Sequence, residues 1–136
     1  MLTEKDYCDY DTCVALKKLG YKEKTLAYYT SEGIFNWRRA YIYDVAIPDL
    51  AKSSNSNKEL RKHVLDAVSL YEAQKWLREE KDVFIEVIHT NLLGKDYFNV
   101  HLSNTDCAFE SIFGKSSYEE ALSEGIKGAV KILKDK

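Results

Sequence analysis

The strongest constraint on the fold lies at the end of the chain. In Ser116-Ser-Tyr-Glu-Glu-Ala-Leu and the residues after it, Tyr118, Ala121, Leu122, Gly125, Ile126, Ala129 and Leu133 fall at i, i+3, i+4, i+7, i+8, i+11 and i+15. That spacing predicts one helix with a single apolar stripe, and Ser116 with Glu119 has the spacing of a reciprocal cap at its start. Such a stripe is stable only when buried, so the remaining residues have to supply a surface for it.

The surface is a sheet. Residues 82–89 and 97–102 are β-prone runs on either side of a turn over 90–96 that contains Gly94. Alternation puts Val83, Ile85 and Val87 on one face with Phe98, Val100 and Leu102, and a further strand fits residues 107–113. Upstream, Ser69 and Glu72 cap a helix that carries Leu70, Ala73, Trp76 and Leu77. Asp9 caps another over residues 10–19, with Thr12, Ala15, Leu16 and Leu19 inward and Gly20 as the stop. Residues 25–30 and 34–40 read as a first hairpin across Ser31-Glu-Gly33, and a third β-prone run, 41–47, ends at Pro48.

Helices and hairpins in this order, without a repeating βαβ alternation, define an α+β protein: an antiparallel sheet built from two hairpins, with helices packed on one face and closed by a C-terminal helix. Residues 1–136 read as one domain, with an insertion or excursion at 49–68. Within it, Ser53-Ser-Asn-Ser-Asn is loop-like, while Ser56 and Glu59 could cap a short helix carrying Leu60, Val64, Leu65 and Val68.

Composition removes several classes of function. The formal net charge is −2, which argues against wholesale binding to nucleic acid or an anionic membrane, though not against a local basic patch. No apolar run approaches the roughly 20 residues that cross a bilayer, and Met1-Leu-Thr-Glu-Lys-Asp lacks the apolar core of a signal peptide. Three cysteines without framework spacing fit reduced thiols, so a cytoplasmic protein with no membrane partner is expected.

Catalytic and ligand-binding motifs fail on chemistry. Phe113-Gly-Lys-Ser-Ser precedes a helix as the end of a phosphate-binding loop does, but that loop needs a glycine where Phe109 stands, and Glu119 and Glu120 would repel an anion. Metal ligation would need His63, His89, His101 and the cysteines to converge, and a regular hairpin puts His89 and His101 on opposite faces. No nucleophile elbow or diagnostic carboxylate pair is present. No catalytic residue, metal or cofactor is therefore assigned, and the balance leans away from an enzyme.

What remains is recognition by the first hairpin. Trp37, Arg38, Arg39, Tyr41 and Tyr43 interleave cations with aromatics, with Tyr28 and Tyr29 across from them. Trp, Tyr and Arg are the anchors enriched at protein interfaces, and the same set could stack bases and bind phosphates. The bland alternative makes Trp37 core and the arginines a solvated edge.

Ser69-Leu-Tyr-Glu-Ala-Gln-Lys-Trp-Leu-Arg-Glu and Ser117-Tyr-Glu-Glu-Ala carry a likeness. The chain resembles short uncharacterised proteins of gut Bacteroidetes and their phages, in which an Ala-x-Lys-Trp-Leu-Arg-Glu helix, a β-hairpin and a Tyr-Glu-x-Ala helix follow one another. The resemblance spans residues 69–133 and, more loosely, 9–21; it departs at 49–68. It implies element order and source but no catalytic residue. Glu119-Glu120-Ala121-Leu122 is also similar to the closing helix of HicB-type antitoxins, which would imply inhibition of a small RNase. Those proteins carry a Pro-Asp-Leu-Pro-Gly-Cys-like turn where this chain has Ser103-Asn-Thr-Asp-Cys107.

The expected function is thus a non-enzymatic phage or mobile-element accessory protein acting through protein–protein contact with an unidentified partner or by self-association. The alternative is a nucleic-acid-binding module using residues 37–43.

Overall fold

A computed structural model of the chain describes residues 2–23, 25–37 and 65–135. Among them the order is a 3-10 turn (Glu4–Asp6), α1 (Tyr10–Lys18), β1 (Ala27–Tyr29), β2 (Phe35–Trp37), β3 (Leu65–Ala67), α2 (Leu70–Lys81), β4 (Phe84–Leu92), β5 (Lys95–Ser103), β6 (Ala108–Lys115) and α3 (Tyr118–Lys134). The class is α+β, and each hairpin forms part of its own three-stranded antiparallel sheet, ordered β2-β1-β3 and β4-β5-β6. The run 41–47 and most of the proposed excursion, including Leu60 and Val64, lie outside the described residues.

The helix starts follow side-chain capping. Asp9 Oδ1 accepts the Thr12 N–H at 2.8 Å, and Ser69 Oγ accepts that of Glu72 at 3.1 Å. For α3 the cap sits one residue later than the Ser116–Glu119 spacing suggests. Ser117 Oγ accepts the Glu120 N–H at 3.1 Å, and the Glu120 carboxylate reaches back to Ser116, accepting from its hydroxyl at 2.6 Å and from its N–H at 3.3 Å. Two adjacent serines and two adjacent glutamates offer the same i, i+3 spacing twice, and the later pair forms the cap. Tyr118, read as the first residue of the stripe, is accordingly exposed at the rim, its ring edge-on to Phe98.

Residues 65–68 do not end a helix. β1 is flanked on both edges, pairing Ala27, Tyr28 and Tyr29 with Trp37, Asn36 and Phe35 on one side and with Ala67, Asp66 and Leu65 on the other. Val68 then accepts the Cys8 N–H at its carbonyl (2.8 Å) and gives its own N–H to Cys13 Sγ (3.4 Å). A three-residue strand left with an open edge would be marginal, and pairing on both sides uses the backbone groups that a helix here would withhold.

One apolar cluster joins the elements: Leu16 and Cys13 of α1, Ala27 and Tyr29 of β1, Leu70 and Leu77 of α2, Ile85, Val100 and Leu102 of the larger sheet, and Leu122 and Ile126 of α3. α3 lies across β4, β5 and β6 and also touches α1 and α2, while α1 packs on β3. Close approach of α3 to its sheet depends on small residues. A Cβ on Gly125 would come within 2.7 Å of Ile85 Cγ2, and one on Gly128 within 2.9 Å of Leu102 Cδ1. The larger sheet is therefore helix-covered on one face. On the other, no described helix packs.

Candidate functional site

Of the sequence-predicted surface, Arg38, Arg39, Tyr41 and Tyr43 lie outside the described residues. Tyr28, Tyr29 and Trp37 are not brought together. Adjacent strand residues point to opposite faces, so Tyr28 and Tyr29 separate, and Trp37, opposite Ala27, falls on the Tyr29 side. Tyr29 is only 5% exposed and donates its hydroxyl to the Cys8 carbonyl at 2.6 Å, which makes it a core residue. Trp37 is 45% exposed and stands edge-on to Tyr7 and Phe35, closing one end of an aromatic cluster. Tyr28 is half-buried on the other face, in register with Asn36 and Asp66.

The Gly114 N–H is taken by Asn99 Oδ1 at 2.9 Å and the Ser116 N–H by Glu120, so neither amide is available to a phosphate. The β4–β5 register is unbroken: His89 stands opposite Phe98 on the α3 side, where it meets Asp96 at 2.7 Å, while His101 stands opposite Glu86 on the other face. His63 lies outside the described residues, and among those described no group of three potential ligands could hold a metal. Cys8 and Cys13 occupy the positions before the cap and in the second turn of α1 that normally hold an apolar staple. The hydrogen bond with Cys13, followed by burial, pushes the Cys8 thiol well up and keeps it protonated.

One arrangement in the larger sheet has the residue types of a hydrolase. Glu86, His101 and Ser111 form a cross-strand row, with His101 Nδ1 and Ser111 Oγ 2.6 Å apart. Among the described residues, however, no hydrogen bond joins Glu86 to His101, and the nearby Gly114 amide that could stabilise an oxyanion is occupied. The row is a set of polar cross-strand pairs.

The face that carries this row is the part of the molecule that burial does not explain. Phe84, Ile88 and Leu92 of β4 point away from α3 at 36, 41 and 59% exposure, and Phe113 of β6, edge-on to His101, is 67% exposed. At its end, Leu93 and Gly94 form the two-residue turn, both with positive φ (54° and 78°). A right-twisted hairpin demands this backbone, which favours Asn, Asp or Gly; here the first position is a leucine, fully exposed. Beside the turn Leu92, Leu93, Lys95, Tyr97, Asn99 and Phe113 line most of a shallow hollow of about 590 Å³. The exposed parts of Phe84, Ile88, Leu92, Leu93 and Phe113 sum to on the order of 600 Å², distributed over the face among polar neighbours.

Sequence reasoning missed this face because alternation identifies two sides of a hairpin but not which side a helix will cover. The one local signal was Leu92-Leu93 directly before Gly94, two large apolar residues in a turn where polar ones belong.

No protein-family model matches the chain, no curated protein matches it, and no solved structure does so. Among the described residues no helix is long and apolar enough to cross a membrane.

Proposed function

We propose that this protein acts by protein–protein contact and not by catalysis, through the helix-free face of the β4-β5-β6 sheet. The observation that carries the reading is the exposure of Phe84, Ile88, Leu92 and Phe113 on the face of the sheet that no described helix covers, while Ile85, Val100 and Leu102 of the opposite face are buried against α3. Aromatic and aliphatic anchors on a preformed surface bind at low ordering cost, and the charged Glu86 and Lys95 on the same face supply orientation. The order of helix, hairpin and helix shared with the short Bacteroidetes and phage proteins supports a mobile-element accessory role. Affinity capture with the intact chain and with Phe113→Thr tests the contact. A partner retained by the former and lost by the latter is expected; equal retention counts against this face.

A second reading keeps the first hairpin as a nucleic-acid surface. It is favoured by Trp37, half-exposed at the end of β2 and next in sequence to Arg38 and Arg39. Binding to single-stranded RNA or DNA that weakens steeply with salt, and disappears in Arg38→Ala/Arg39→Ala, would establish it. Salt-insensitive self-association without nucleic-acid retention would remove it.

A further inference from the structure

Resting on the contact reading, we propose that the occupant of the open face is a second copy of this chain, docked sheet to sheet about a two-fold axis.

Charge and area point to self-pairing. On this face the described strands carry one acid, Glu86, and one lysine, Lys95. Glu86 stands opposite His101 near the start of β4, whereas Lys95 stands opposite Leu92 at the hairpin tip. The two rows are six residues apart along β4, about 20 Å at the usual strand rise. Between them Ile88 stands opposite Asn99 and Thr90 opposite Tyr97, with Phe113 exposed on the far side of β5. A surface with an acid towards one end, a base at the other and exposed apolar residues distributed along it is its own complement under a two-fold rotation. With the axis midway, each Glu86 meets the other copy's Lys95, and each Leu92–Leu93 tip covers the other copy's Phe84.

A partner of uniform charge would leave one end repelled. The exposed apolar residues of this face, about 600 Å² in sum, approach with their polar neighbours the roughly 800 Å² per partner of a stable interface. Two antiparallel sheets pack face to face in this manner, with strand directions within about 30° of one another. The exposed Leu93, held at positive φ, then acquires a function, because docking shields it.

Sedimentation velocity of the full chain up to about 200 µM tests the proposal. The expected species has about twice the 15.7 kDa chain mass. Phe113→Thr, at an exposed strand position that threonine tolerates, should weaken association at least tenfold with an unchanged melting curve. Glu86→Lys should weaken it, and the charge swap Glu86→Lys/Lys95→Glu should restore it. A wild-type chain that stays monomeric, a dimer indifferent to Phe113→Thr, or a swap that fails to recover affinity overturns the two-fold pairing. A monomer whose Phe113-dependent capture of another protein persists overturns the self-pairing while leaving the contact reading intact. If capture is also indifferent to Phe113, both fall.

Discussion

Gly125 of α3 lies so close to Val100 of β5 that a Cβ on the glycine would come within 2.8 Å of Val100 Cγ2. The nearest methyls belong to Val100 and Ile85, two β-branched residues whose side chains have little freedom to turn away. A glycine inside a helix normally costs stability, yet here it sets the distance at which the helix can meet the sheet.

Gly125→Ala therefore tests the packing against the intrinsic preference. Alanine gains about 1 kcal/mol of helix propensity. Overpacking a rigid contact costs about 1–3 kcal/mol. The expected outcome in urea denaturation is a net loss of stability, and a variant more stable than wild type would show that α3 can lift off its sheet without cost.

The cap register gives a second test. Ser117→Ala removes the acceptor for the Glu120 N–H and should cost about 1 kcal/mol, as N-cap replacements do. Ser116→Ala loses one exposed side-chain bond to Glu120 and should cost less. Equal or reversed effects in thermal melts would place the cap at Ser116.

Tyr21 and Tyr29, the two buried phenols shifted furthest, predict the alkaline limit. Burial, reinforced by the Glu72 carboxylate 3.2 Å away, pushes the Tyr21 hydroxyl up; burial does the same for Tyr29. A folded value raised above the unfolded one means that the stabilisation is complete below the ordinary value, about 10, and is lost as the pH rises beyond it. Ultraviolet titration should show Tyr21 and Tyr29 ionising only together with loss of the circular-dichroism signal. Tyr29→Phe, which gives up the bond to Cys8, should lose about 1 kcal/mol at neutral pH but fall less steeply in alkali.

Thiol accessibility separates the cysteines. Cys107 is exposed, whereas Cys8 and Cys13 are buried. With a thiol-specific reagent the native protein should therefore release one equivalent quickly and two more only on unfolding. A second fast thiol would mean that the start of α1 opens locally, and Cys107→Ser identifies which sulfur reacts.

Local chemistry in the chain foretold the elements that need only neighbours. Asp9 and Ser69 announced their helices through caps that reach three residues ahead, and strict alternation from Ile85 through Val87 grouped these residues on one face with Val100 and Leu102. Even the separation of His89 from His101 followed from a period of two, provided that no bulge interrupted β4–β5, and none does. Where two local solutions had equal merit, as for Ser116 and Ser117, the spacing alone could not choose between them.

Long-range pairing decided the rest. Nothing near Leu65–Ala67 reveals that β1, some forty residues earlier, lacks a partner on that edge, so a short helix was as good a local reading. Tyr29 reads as a surface aromatic until the Cys8 carbonyl, supplied by a distant turn, claims its hydroxyl. The open face is the clearest case. Phe84, Ile88, Leu92 and Phe113 are no less apolar than residues of the packed side, and exposure came to them because the one closing helix could cover only one side of the sheet. Hydrophobicity is a property of a residue, but burial is a property of what the fold brings against it.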